Sequence, residues 1–276
     1  MPVPIHADMP RADYDALDAL NASGINRGTK SLMHLRHALE NREETAALSL
    51  GWLTHGLILE PEVVADEVVI VEASTKTTKI WKEQSEAAIA SGKRPFLLHE
   101  YESALEMGRA VRDAPVYRKV LADCFDPMTE ATIVWEDTDD GATRWKAKMR
   151  CDLIDPSAGI LLDIKTTLDA SPEAFRWSVL KYGYHRQAAW YIRGAMAAGV
   201  EAPRFLIVAV EKGAPNGVGV YEIPADVLAQ GWAECAAIAS RWSEAKRTGI
   251  WPGYSDGIVM LPVRPKYEVN LEEVAL

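Results

Sequence analysis

Residues 150–165, RCDLIDPSAGILLDIK, constrain this chain most, because they set charged groups inside runs that must be buried. The apolar run 159–164 reads as a buried strand, with Asp163 and Lys165 bracketing Ile164. Strand side chains alternate in direction. A carboxylate and an ammonium two positions apart therefore share a face, roughly 7 Å apart at their Cα atoms. Asp152 ends an earlier extended run, 144–153, and the intervening Asp-Pro-Ser-Ala-Gly at 155–159 is a turn by composition. A hairpin would bring Asp152 beside Asp163. A lone D-x-K pair is more often a solvated strand face. Here Ile160, Leu161, Leu162 and Ile164 surround the pair, and charges in apolar strands are seldom left unpaired.

Two carboxylates on one face can hold a hard divalent cation such as Mg²⁺, with Mn²⁺ as a substitute, and leave positions for water and a phosphate. At a usual pKa of about 10.4 the lysine is an ammonium. It can stabilise developing negative charge or orient the attacking nucleophile, and the spacing fits both roles. The expected catalytic set is Asp152, Asp163 and Lys165.

With 276 residues, 48% of them hydrophobic, the chain can bury a substantial core. The expected organisation is a loosely ordered lead-in over 1–28, one domain over 29–255 and an irregular acidic tail over 256–276. No apolar run approaches the roughly 18 residues of a membrane span, and MPVPIHADMP lacks the regions of a signal peptide, so a cytoplasmic protein is expected. Cys124, Cys151 and Cys235 form no C-x-x-C pair, which argues against a disulfide framework, a zinc ribbon or a four-cysteine cluster. The net charge of −10 argues against a broadly basic nucleic-acid surface, so any such contact must be local.

Periodicity and punctuation predict a short helix at 11–21 and helices at 29–39, 45–59, 80–90, 100–114 and 116–125. Further helices are expected over 172–199, broken near Tyr182-Gly183, and over 225–247. Strands are expected at 68–72, in a hairpin over 131–153, at 159–166 and 204–210, with 217–223 as the hairpin partner of the last. Asp137, Asp139 and Asp140 surround Gly141 and are read as turn residues. Phosphate-loop, dinucleotide and serine-elbow motifs are absent.

Tyr184, Gln187 and Tyr191 recur at i, i+3 and i+7, a stripe of aromatic and amide groups that suits phosphate or base contacts or, equally, a core face. His55 lies on an apolar stripe with Trp52 and Leu59, where a buried histidine is more often structural than a ligand.

Together, TAALSLGWLTHGLILEP (45–61), KMRCDLIDPSAGILLDIKTT (148–167) and GYHRQAAWY (183–191) resemble the exodeoxyribonuclease VIII-like (RecE-type) branch of the PD-(D/E)XK nuclease superfamily. That pattern runs G-x-x-x-H, R-P-D, D-x-K-T-T and Q-x-x-x-Y in order, with Cys151 here replacing the proline. The resemblance implies an α/β fold with a mixed central sheet flanked by helices. It implies metal contacts from His55, Asp152 and Asp163, and Lys165 as the active-site lysine. Arg150, Gln187 and Tyr191 would lie on the substrate side, with Glu130 an additional acid. It also implies Mg²⁺-dependent degradation of double-stranded DNA from 5′ ends, leaving 3′ tails for a single-strand annealing partner. A ring-shaped homo-oligomer would line its channel with groups such as Arg150 and Arg186. The alternatives are an endonuclease or single-strand exonuclease on this fold, or a DNA-end-binding module that does not cleave.

Overall fold

In the computed structural model, which describes residues 1–41, 46–138, 141, 144–261 and 263, the elements start and stop where local chemistry directs. The first are β1 (Ile5–His6), α1 (Arg11–Ala16), α2 (Ala22–Gly28), α3 (Leu32–Glu40), α4 (Ala46–Leu59), α5 (Pro61–Glu67) and β2 (Val68–Val71). They continue with α6 (Lys79–Ala90), β3 (Arg94–Leu97), α7 (Leu98–Asp113), α8 (Pro115–Ala122), β4 (Met128–Thr138), β5 (Arg144–Asp155) and β6 (Ile160–Thr167). The last are α9 (Pro172–Tyr182), α10 (Tyr184–Ala197), β7 (Arg204–Glu211), β8 (Val218–Glu222) and α11 (Ala225–Thr248). The side chains of Asn21, Ser31, Thr78 and Ser171 each accept a first-turn amide of the helix that follows. Pro61, Pro115 and Pro172 open helices where no intrahelical amide is needed. Glu60-Pro61 therefore ends α4 as expected and also starts α5.

The main sheet has six strands in the order β1-β4-β5-β6-β7-β8, mostly antiparallel. Only β6 and β7 are parallel within it, and α9 and α10 provide the crossover that such a pair requires. Both faces are covered, which explains the near-continuous apolar runs in β6 and β7. One face packs Ala147, Met149, Leu161 and Ile207 against Trp190, Ala239 and Trp242 of α10 and α11. The opposite face packs Leu162, Ile164, Val208 and Val210 against Leu53 and Leu57 of α4 and Met107 of α7. A small parallel pair, β2 with β3, lies apart from this sheet.

Two expectations change. Residues 1–28 are not a loose lead-in: β1 pairs with β4, and Leu20 and Ile25 are fully buried. Leu20 is also an isolated bridge partner of Ala147. Asp137 is not a turn acid but the end of β4, accepting from Trp135 Nε1 at 3.0 Å and from Arg193 Nε and Nη2 of α10 at 2.9 and 3.0 Å. The turn reading fails there because the cation that pairs with it lies 56 residues away in sequence. Asp139 and Asp140 lie outside the described residues.

Candidate active site

The β5–β6 ladder covers only Leu153↔Leu162, Ile154↔Leu161 and Asp155↔Ile160. The next positions in that register would pair Asp152 with Asp163, and there the strands part. On its other side the β4–β5 ladder runs from Met128↔Ile154 to Thr138↔Arg144 but skips the pair Glu130–Asp152. Glu130 has φ +49°, a sparsely populated conformation for a non-glycine residue, which interrupts the ladder for one pair without shifting its register. The burial pattern changes phase at the same point. Cys151 packs in the first core, Leu153 in the second and Ile154 in the first again. Asp152 thus sits at a break in pairing on both sides, where its side chain can serve chemistry. Its Oδ2 accepts the Ile164 amide at 2.7 Å, a side chain standing in for the ladder.

Around this fork the charged groups converge. His55 Nδ1 of α4 lies 3.3 Å from Asp152 Oδ2, and Lys165 Nζ lies 2.5 Å from Asp163 Oδ2. Gln187 Nε2 of α10 donates to Asp163 Oδ1 at 2.6 Å. Arg150 Nε donates to Glu130 Oε2 at 2.6 Å, and its Nη1 donates to the Met9 carbonyl at 2.7 Å. Lys165 Nζ stands 5.1 Å from the Tyr184 ring centroid.

Burial and neighbours push the two carboxylates apart. Burial lifts Asp163, and with Asp152 adding to the rise against the opposing pull of Lys165 its carboxyl reaches about 6. Burial would also raise Asp152, but the His55 imidazole, then Lys165 and the Ile164 amide, hold it below the usual carboxylate range. Burial works against the charged forms of His55 and Lys165, yet Asp152 keeps the imidazole above its ordinary value and Asp163 does the same for the ammonium. Glu130 is raised by burial and by Asp152, with Arg150 only partly offsetting them. Environments that separate like groups in this way are typical of sites built for chemistry.

The described residues contain no three His, Cys, Asp or Glu side chains already drawn together as a closed metal cage. The donor set still fits a hard divalent cation on one observation. Asp152 and Asp163 are both buried at one fork, and the Lys165 ammonium, 2.5 Å from Asp163 Oδ2, is shared between their charges. Two buried carboxylates that share one ammonium keep oxygen lone pairs and negative charge that a hard divalent cation can take up.

Sequence reasoning did not anticipate how α10 wedges the fork open. Parting from β6 leaves β5 with a bare edge whose carbonyls need partners. Leu20 N donates to the Lys146 carbonyl, Trp190 Nε1 to that of Lys148 at 3.1 Å and the Tyr191 hydroxyl to that of Arg150 at 2.8 Å. Tyr191 is buried, so as placed its hydroxyl holds β5 in position. Trp190 belongs to the same stripe, and a buried indole N–H was the available signal. Lys148 was missed too. Its ammonium is buried against the carbonyls of Tyr14 at 2.7 Å and Leu17 at 2.8 Å, which ties the N-terminal segment to β5. Arg186, expected in a channel, donates instead to Glu234 Oε2 at 2.6 Å and Asn26 Oδ1 at 2.7 Å, so its charge is already matched.

The family profile described as a PDDEXK-like domain of unknown function (DUF3799) matches residues 27–261. The chain belongs to this family. No curated protein matches its sequence. The PDDEXK-like chain is similar in structure to a proposed exonuclease from Eubacterium rectale, with a TM-score of 0.63 and 14% identity over 93% of this chain and 96% of that one. A phage-related exonuclease from Haemophilus somnus also matches, with a TM-score of 0.33 and 14% identity over 71% of this chain and 94% of the other. The first likeness bears out the mixed sheet flanked by helices, and the family match bears out the PD-(D/E)XK reading. Cys151, which the sequence resemblance sets where the superfamily pattern has a proline, is fully buried. Its thiol lies 3.0 Å from the Leu153 carbonyl and 3.5 Å from that of Leu162, bridging the strands just before they part. Among the described residues no helix is long and apolar enough to cross a membrane.

Proposed function

We propose that this PDDEXK-like protein is a divalent-metal-dependent exodeoxyribonuclease acting on double-stranded DNA from 5′ ends and leaving 3′ single-stranded tails. The observation that carries the nuclease reading is the pair of buried carboxylates Asp152 and Asp163 at the strand fork, with Lys165 at 2.5 Å from Asp163 Oδ2. Asp152 and Asp163 would hold the cation, Mg²⁺ by preference for hard oxygen donors, and His55 would complete or steady the set. Bound there, a divalent cation would polarise the scissile phosphate and stabilise the charge of an in-line displacement.

The chain's own groups supply the rest. The Lys165 ammonium lies where charge builds on the phosphoryl oxygens as water adds to phosphorus and the bond to the 3′-oxygen breaks. Gln187 fixes the second oxygen of Asp163, which keeps the first aimed at the site. Arg150 orients Glu130 across the break from Asp152, and Tyr191 holds the Arg150 carbonyl. The 5′ polarity and the link to a strand-annealing partner rest on the resemblance to the RecE-type branch. The net charge of −10 supports enclosure of the duplex by a cyclic homo-oligomer, because it gives little general attraction to DNA.

Linear duplex labelled at either the 5′ or the 3′ end, run beside closed circular DNA with Mg²⁺, tests the activity. The 5′ label should be released first and the circle left intact. A nicked circle would point to an endonuclease, and intact DNA throughout to an end-binding module. Light scattering should give a mass that is a multiple of 30.4 kDa, and a monomer would remove the ring.

A further inference from the structure

Gly183, at φ +71°, ends α9 and opens α10, and it sets a tyrosine on each side of the break. A left-handed conformation suits glycine, and an added Cβ here would run into Asn26 Oδ1 and Arg186. Tyr184 packs against Phe175, ring centroids 6.0 Å apart and stacked, with Lys165 Nζ 5.1 Å from its own centroid. Tyr182 follows, its ring 5.8 Å from that of Tyr184 and tilted by 33°. Lys181 Nζ lies 5.2 Å from the Tyr182 ring. The row runs from the core to solvent. Phe175 is buried, Tyr184 half-buried, and Tyr182 keeps 52% of its surface exposed. The backbone beneath Tyr182 is held, since Asn26 Nδ2 donates to its carbonyl at 3.1 Å while Asn26 Oδ1 accepts from Arg186.

We propose that Tyr182, braced by Tyr184, is a stacking platform for an unpaired DNA base beside the phosphate at Lys165. This rests on the nuclease reading above. The paired rings, with Lys165 over Tyr184 and Lys181 over the exposed Tyr182, offer what a single strand requires, positive charge for the flanking phosphates and a π-face that the base gains when the flexible Lys181 side chain swings aside. The two separations place the Tyr182 ring no more than about 11 Å from Lys165 Nζ. At roughly 3.4 Å of rise per nucleotide, that reaches a base within about three steps of the reacting phosphate. In an acidic protein this local arrangement can favour a frayed or tailed end over the body of the duplex. The ring thereby selects substrate without touching the reacting atoms.

The test uses tailed duplexes carrying 2-aminopurine at each of the first three unpaired positions, mixed with the full chain in EDTA at low ionic strength so that nothing is cut. Stacking on an aromatic ring should quench the probe at one of these positions. Tyr182→Phe should keep the quench. Tyr182→Ala should lose it and weaken binding about fivefold or more, the low end of base–aromatic stacking. Trp177→Ala removes a ring on α9 that is 62% exposed and outside the row, and should change neither. A folded Tyr182→Ala protein that binds and quenches like the wild type overturns the platform, as does a wild type that quenches at none of the three positions. If the wild type quenches but fails to cut with Mg²⁺, the platform stands and the hydrolytic reading falls.

Discussion

Lys165 and Asp163 face each other at 2.5 Å inside an apolar strand, a pairing that would be expensive if it served only the fold. Lys165→Ala should lower cleavage about 10²- to 10³-fold, the usual scale for losing one group that stabilises transition-state charge, while circular dichroism shows a folded protein. Activity like the wild type's in that variant would remove Lys165 from the mechanism. Asp163→Asn takes a full charge from a hard-cation site, so calorimetry with Mn²⁺ should show weakened binding. The same titration on His55→Ala separates two roles. Weakened Mn²⁺ binding would make His55 a ligand, and unchanged binding would leave it as the partner that steadies Asp152 at 3.3 Å.

Helix α10 decides how the site is held, because it fills the opening between β5 and β6. Tyr191→Phe keeps the ring and strands the Arg150 carbonyl, while Trp190→Phe strands the Lys148 carbonyl and also opens space in the core. Each should cost about 1–3 kcal/mol in urea unfolding, the penalty of a buried acceptor without a partner. An unchanged midpoint in either variant would mean that the carbonyl finds another donor. The other side of α10 rests against α11 at Gly231, where an added Cβ would sit 2.6 Å from the His185 carbonyl oxygen. Backbone cannot rotate away as a side chain can. Gly231→Ala should therefore push the two helices apart and lower stability by about 1–3 kcal/mol or more.

For the molecule as a whole, acid tolerance depends on carboxylates that take no part in the candidate chemistry. The buried Asp155 carboxyl would be raised by desolvation, but the amides of Ala158, Asp126, Phe125 and Ser157 hold it below its ordinary value. Asp137 is likewise held down, against desolvation, by Arg193, the Thr138 amide and Trp135. A carboxyl depressed in the fold contributes stability that is fully present above its unfolded pKa of about 3.9 and lost as pH falls through the folded value. Asp155→Asn should therefore be less stable than the wild type at pH 7 by about 1–3 kcal/mol, with the gap closing below about pH 4. Urea unfolding at pH 7, 5, 4 and 3 checks this. A gap that stays constant with pH would mean that Asp155 acts through shape and not charge.

Much of the candidate site was legible in the chain because its determinants are local. Alternation over β5 and β6 places Asp152, Asp163 and Lys165 on strands, the turn residues at 155–159 set the hairpin, and Gly183 marks the helix break. These follow from side-chain period and backbone sterics within a few residues. Other features are decided by which surfaces meet. The two-residue β1 and the Pro-containing β3 are too short to show a period, so only their partners define them. Leu20 and Lys148 bind the N-terminal segment to the bare edge of β5, an edge that exists only because β6 veers away. Asp137 and Arg186 look like free charges in the sequence, yet each is matched by a group dozens of residues distant. The sequence by itself determined which groups could carry the chemistry, since alternation orients a side chain from its own strand. Only the tertiary structure decided that pairing with β6 would stop at Asp152 while pairing with β4 skips it, because a ladder ends where neighbouring strands and an intruding helix compete for the same backbone groups.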